Sequence, residues 1–242
     1  MPFTLSHPAI ILPLAKASPK WVSVTGLIIG SLTPDFGYFI MIPIENLMSH
    51  SLPGLFYFDL SIALLLTFAF HNIIRDPLYN NLPAQLAMRL LPYQSFKWND
   101  YFRKQWVVII PSILLGAASH LFWDGFTHGN GYFVQTIKEL TIPVNIFGES
   151  IPFYRIFRNL SSLLGGLIVL YYLFGMPRDH DTRPNRSAHY WPILILIAVS
   201  IIFITLAKGF ESYFIAQLGV TTSAAILIAL IVTPLIDRKK YT

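Results

Sequence analysis

Six stretches of this chain, at roughly 21–42, 52–74, 106–126, 155–176, 191–208 and 216–236, each run for about 18 residues or more with few charges. Wound as a helix rising about 1.5 Å per residue, a run of that length reaches across the hydrocarbon core of a bilayer. No water is available there for backbone N–H and C=O groups, so a segment crosses as a helix that satisfies them internally. The expected fold is therefore all-α: a polytopic integral membrane helical bundle of about six spans. A shorter apolar piece, 8–17, precedes the first and is too short to cross, so it is expected to be half-inserted. The apolar share of 54% against 12% charged residues excludes an ordinary soluble domain.

The chain carries 17 lysines and arginines against 12 acids, but their placement follows topology rather than a nucleic-acid surface. Arg75, Arg89, Lys97, Arg103 and Lys104 follow the second span. Arg178, Arg183 and Arg186 follow the fourth, Arg238, Lys239 and Lys240 end the chain, and Lys16 and Lys20 precede the first. If the spans alternate, all of these share one side, and the other side keeps only Lys138, Arg155, Arg158 and Lys208. The positive-inside rule then puts the 75–105 and 177–190 loops and the C-terminus in the cytoplasm. A cleavable signal peptide is not expected, because no basic residue precedes the first apolar piece and His7 and Pro13 interrupt it. The expected localisation is an inner (cytoplasmic) membrane, with membrane lipids as surroundings and no nucleic-acid partner.

Within the third span a four-residue repeat places Ser112, Gly116, His120, Asp124 and His128 along one helical face, drifting about 40° per step. Ionisable groups are costly inside a membrane and usually mark function. Other candidates fall at the same, outer level. Asp35 follows Pro34, which frees a carbonyl and bends the first span. His50 stands in the outer loop Ser49-His50-Ser51, and Asp59 lies near the outer end of the second span. Ser18-Pro19-Lys20 is a turn signal that folds 8–17 back along the first span, bringing His7 near Ser31–Asp35. Gly26 and Gly30 form a small-xxx-small pair, expected to let those two helices approach closely.

Each candidate also has a plainer reading. His120 and Asp124 could be a hydrogen-bonded i, i+4 pair, Asp35 a helix cap, and His7 a helix-start residue beside Pro8. His50 could cap the second span, and His128 could be a solvated loop residue before Gly-Asn-Gly. Asp59 and His71 read as structural, and His180 and His189 as incidental. The second half, 151–242, is nearly free of ionisable groups inside its spans and reads as apolar scaffold, while 1–130 bears the site of a single transmembrane domain, 1–242. With no cysteines, any metal site must use His, Asp and Glu, which favours zinc, manganese or iron.

The segments Pro2-Phe3-Thr4-Leu5-Ser6-His7-Pro8, Gly30-Ser31-Leu32-Thr33-Pro34-Asp35, Ser49-His50-Ser51 and Ser119-His120-Leu121-Phe122-Trp123-Asp124 resemble the bacterial membrane family called domain of unknown function 4184. Ile151-Pro-Phe-Tyr-Arg and Ser161-Ser-Leu-Leu-Gly extend the likeness. More distantly, the order of these motifs is similar to LexA-regulated-type membrane-bound metal-dependent hydrolases. That resemblance implies metal-site residues His7, Asp35, His50, His120 and Asp124. The chain departs from the distant family at Pro34-Asp35-Phe36-Gly37-Tyr38, where a second Asp and a His are usual. It departs again in the loop where only His50 stands, so two ligands of that pattern are missing.

The expected function is a metal-dependent hydrolase acting on a membrane-associated phosphoester, a lipid or lipid-linked phosphate. It would use one or two divalent ions, zinc first, with His50 and Asp124 as catalytic groups. The alternative is a cation- or proton-coupled transporter using the same residues. No repeat relates the two halves, which weighs against an inverted-repeat transporter.

Overall fold

The computed structural model describes residues 3–39, 48–207 and 214–237. Pro8–Ile11 (α1) sits between 3-10 turns at Thr4–Ser6 and Leu12–Lys16. Val24–Leu32 (α2), a 3-10 turn at Thr33–Asp35 and Phe36–Phe39 (α3) follow. After a 3-10 turn at Met48–His50 come the helical stretch Leu52–Asn81 (α4), Ala84–Leu90 (α5), Trp98–Thr127 (α6) and Tyr132–Thr136 (α7). The hairpin Pro143–Ile146 (β1) and Glu149–Pro152 (β2) leads into Phe153–Gly175 (α8), Tyr190–Ala207 (α9) and Phe214–Ile236 (α10).

Five helices among the described residues are long and apolar enough to cross a membrane: α4, α6 continuing into α7, α8, α9 and, in α10, Leu218–Ile236. The protein is thus an all-α polytopic membrane protein. The remaining expected span, 21–42, is described to residue 39 as α2, the Thr33–Asp35 turn and α3. Its last residues lie outside the described residues, as do Lys208, Glu211, Arg238, Lys239 and Lys240.

The described chain divides into two compact units. The first draws on Met1–Phe36, Leu47–Leu64 and Gln105–Gly175. Here α2 starts at Ser23, whose Oγ accepts the Gly26 N–H at 3.3 Å. It ends because Pro34 has no N–H to give the carbonyl four residues back, Gly30 O, which instead accepts the Thr33 hydroxyl at 2.8 Å. The hairpin expectation holds, since α1 packs along α2. The glycine expectation needs correction: Gly26 and Gly30 face α6, not the short helix. A Cβ on Gly30 would come within 2.2 Å of Ile113 O, and one on Gly116 within 2.3 Å of Leu27 O. The backbones of α2 and α6 therefore interlock through glycines from both sides. Ser112 seals the crossing, its Oγ accepting the Ser23 N–H at 2.8 Å.

Helix α8 is more than scaffold in this unit. Phe3 N–H donates to Ser162 Oγ at 3.1 Å, and a Cβ on Gly165 would meet Ser6 at 2.8 Å. The Trp123 indole donates to Ser161 Oγ at 3.3 Å. The N-terminal piece carrying His7 is thereby clamped against the stripe Ser161–Ser162–Gly165, while Leu160, Leu163, Leu164, Leu167 and Ile168 stay exposed, as suits a helix solvated by lipid.

The second unit draws on Gly37–Asn46, Leu65–Lys104 and Met176–Thr242. Tyr190, Leu194 and Ala198 of α9 pack on Ala225 and Ala229 of α10. The loop before α9 is tied to the end of α4: the Ser187 N–H reaches Asn81 Oδ1 at 2.8 Å, and the Trp191 indole reaches Asn81 O at 2.8 Å. Buried Arg75 holds the 91–97 segment through Phe96 O at 2.6 Å and Gln94 O at 2.8 Å. His71 stacks on Trp98 at 4.6 Å, a packing role that agrees with its structural reading.

The glycine crossing generates a direct expectation. Gly30→Ala and Gly116→Ala each force a methyl into backbone and should cost about 1–3 kcal/mol or more. Gly166→Ala, with nothing within 4 Å, should be neutral. Thermal unfolding in detergent compares the three, and equal stability would contradict the crossing.

Candidate metal centre

All five sequence-predicted site residues fall in the first unit, on four separate pieces of chain. His7 precedes α1, Asp35 ends the 3-10 turn after α2, His50 ends the turn before α4, and His120 and Asp124 lie one helical turn apart on α6. Asp35, His50, His120 and Asp124 form the group that could hold a metal ion: one ligand atom from each lies within 4.8 Å of all the others.

The atoms are specific. His120 Nε2 is 3.5 Å from Asp35 Oδ1 and 3.4 Å from Asp124 Oδ2. His50 Nε2 is 3.8 Å from Asp35 Oδ1 and 3.6 Å from Asp124 Oδ2. Asp35 Oδ1, His120 Nε2 and Asp124 Oδ2 are buried and have no hydrogen-bond partner among the described residues. Buried polar atoms are almost always paired, and leaving one bare costs about 1–3 kcal/mol. Three converging on one point are a concentrated cost, and a bound cation would relieve all of them.

The opposite atom of each side chain is tied down. His120 Nδ1 is 2.7 Å from Ser31 O; a carbonyl only accepts, so Nδ1 carries the hydrogen. Its Nε2 lone pair then faces the carboxylates, an outer contact that fixes the tautomer of a metal-binding histidine. The Thr4 hydroxyl donates to Asp35 Oδ2 at 2.5 Å, leaving Oδ1 for the centre. Ser49 Oγ is 3.2 Å from His50 Nδ1. The carbonyl that orients His120 belongs to the last turn of α2, just before the proline break.

His7 serves the centre from beside it. Its Nδ1 bonds Thr4 O at 3.2 Å, its Nε2 meets Asp124 Oδ1 at 3.4 Å, and its ring stacks on His120 at 3.7 Å. Although it stands at the start of α1, it makes no side-chain cap. His128 also reaches Asp124 Oδ1, at 3.4 Å. Asp124 is therefore shared: Oδ2 toward the four-atom group, Oδ1 toward His7 and His128. The capping reading of His50 is resolved by its neighbour, since Ser51 Oγ accepts the Gly54 N–H at 3.1 Å and His50 is left to the centre. His50 is also the accessible wall, its side chain 25% exposed against 0–1% for His120 and Asp35.

Sequence spacing alone gave little reason to single out Thr4, Ser31 and Ser49. Thr4 and Ser49 are ordinary polar residues, and Ser31 contributes only its backbone carbonyl; their roles emerge from the fold. The chain matches the family described as Domain of unknown function (DUF4184) over residues 1–235 and belongs to it. No curated protein and no solved structure matches the chain.

Removing an outer contact of this kind weakens metal affinity by about 10–100-fold. Thr4→Val is therefore expected to lower cation affinity by that factor, read by competition with a chelator, with helical content unchanged. An unaltered affinity would detach Thr4 from the centre.

Proposed function

We propose that this member of the DUF4184 family is a membrane-embedded metal-dependent hydrolase whose substrate is a phosphoester in or beside the bilayer, such as a phospholipid or a lipid-linked phosphate. The observation that carries the reading is the convergence of Asp35 Oδ1, His120 Nε2 and Asp124 Oδ2, buried and without hydrogen bonds, on the half-open imidazole of His50. The donor set is two imidazoles and two carboxylates, which suits zinc. A tetrahedral ion with ligands at about 2.0–2.1 Å needs ligand-to-ligand separations of about 3.3–3.4 Å. The four imidazole-to-carboxylate separations, 3.4, 3.5, 3.6 and 3.8 Å, lie close to that spacing. An octahedral ion of the magnesium type would need about 2.8–3.0 Å.

When bound, such an ion lowers the pKa of water toward neutrality and polarises a phosphoryl oxygen. The residues of this chain supply the rest. Asp35 and His120 hold from the buried side. Asp124 holds through Oδ2, while His7 and His128 orient it through Oδ1. His50, the partly exposed side chain of the four, forms the wall by which substrate enters, its Nδ1 held by buried Ser49. The positive-inside distribution supports a bacterial inner-membrane setting, with the C-terminus cytoplasmic and the site toward the outer leaflet.

Protein purified in detergent is expected to carry stoichiometric metal by elemental analysis, and His120→Ala and Asp124→Ala to lose it. Loaded protein should cleave a fluorogenic phospholipid or bis(p-nitrophenyl) phosphate without any transmembrane gradient, and a chelator should abolish the cleavage. Absence of metal from the wild type refutes the reading. Metal flux into sealed vesicles without turnover would establish the transporter alternative instead.

Orientation has its own test in a chain with no cysteines. Phe147→Cys, at a fully exposed position, should react with an impermeant reagent only from outside, and Arg183→Cys only from the cytoplasm. The reverse pattern overturns the topology.

A further inference from the structure

Among the described residues of the first unit, three carboxylates are buried: Asp35, Asp59 and Asp124. Two of them belong to the four-residue group. Asp59 does not, and its surroundings do not explain it structurally. It has no solvent exposure, and neither Oδ1 nor Oδ2 has a hydrogen-bond partner among the described residues. An aspartate that caps a helix or braces a loop accepts N–H or O–H donors; this one accepts none.

Its placement is specific. Asp59 closes a π-helical turn, Leu55–Asp59, inside α4. Such turns widen a helix locally and recur at functional sites. The turn packs against the Thr33–Asp35 turn that carries Asp35 and against the Met48–His50 turn that carries His50. Asp59 thus sits on a turn that lies against two of the pieces of chain bearing the group. A bare carboxylate in an apolar interior is too costly to stand alone, so it either takes up a proton or keeps company with positive charge. One divalent ion matches Asp35 and Asp124. Asp59 is the third buried carboxylate, on a turn packed against the turns that bear Asp35 and His50.

We propose that Asp59 ligates a second divalent cation beside the first, making the centre a two-ion site. The inference builds on the single-ion reading above. Three carboxylates and two divalent ions leave one net positive charge, the sign that draws an anionic phosphoester. Two ions about 3.5–4 Å apart also clamp both the attacking and the leaving oxygen of such a displacement.

The test is stoichiometry. Protein purified in detergent, stripped with EDTA and dialysed against Mn²⁺, is expected to retain two equivalents. Asp59→Asn should retain one, and Asp59→Glu, which keeps the carboxylate, should retain two. If Asp59→Asn does not fold, the wild type still decides. Two neighbouring Mn²⁺ ions give a spin-coupled resonance spectrum, whereas one gives the resolved hyperfine lines of an isolated ion. A single equivalent with an isolated-ion spectrum in the wild type overturns the second ion and leaves the first standing. No retained metal overturns both.

Discussion

Everything at the centre depends on how closely α2 and α6 approach. Gly30 lies against Ile113 O and Gly116 against Leu27 O, at separations where no side chain fits. In lipid, helices gain little from burying apolar surface against each other, so close backbone packing carries association. This crossing also fixes register. It sets the carbonyl of Ser31 opposite His120 Nδ1 and so directs Nε2 toward Asp35 and Asp124. Moving the crossing by one residue would turn His120 by about 100° around its helix and break the group apart.

A second constraint is the division of labour within each side chain. Every ligand candidate has one polar atom committed and one exposed to the centre. His120 spends Nδ1 on a backbone carbonyl, Asp35 spends Oδ2 on Thr4, His50 contacts Ser49, and Asp124 spends Oδ1 on His7 and His128. The committed contacts hold the free atoms within a few ångströms of one another although carboxylate and imidazole acceptors repel at that range. The centre is pre-organised at a cost that the surrounding helices bear, as expected of sites that bind cations. Asp59 departs from that division, since neither of its oxygens has a partner among the described residues.

Much of this was legible in the sequence, for physical reasons. Apolar blocks long enough to span announce helices because lipid allows few alternatives. The four-residue spacing on the third span put His120 and Asp124 on one face, and the Ser18-Pro19-Lys20 turn was enough to bring His7 to their level. What could not be read was which face meets which. Gly26 and Gly30 mark a close approach, but small residues do not name their partner, and the short helix was the wrong choice. Asp59 stood at the right level but read as structural, because burial and the lack of donors exist only in three dimensions. The π turn that ends at Asp59 has no sequence signature. Likewise, α8 read as scaffold, since serines and glycines on an apolar helix do not reveal that they clamp the N-terminal piece.

The four-residue group also has a history written into its chain positions. Its members come from residues 35 to 124, and the side chain that orients Asp124 comes from residue 7. A ribosome delivers these in order, so the first helices enter the membrane with Asp35 and His50 already in place but with no His120 to meet them. Until α6 inserts and Gly116 seats against α2, Asp35 has only Thr4 and His50 to meet, and the ring of His7 has no His120 to stack upon. The four-residue group is therefore complete only at a late stage of biogenesis, after insertion of α6. A chain truncated before that helix would keep Asp35 and His50 but lack both atoms, His120 Nε2 and Asp124 Oδ2, that close the group.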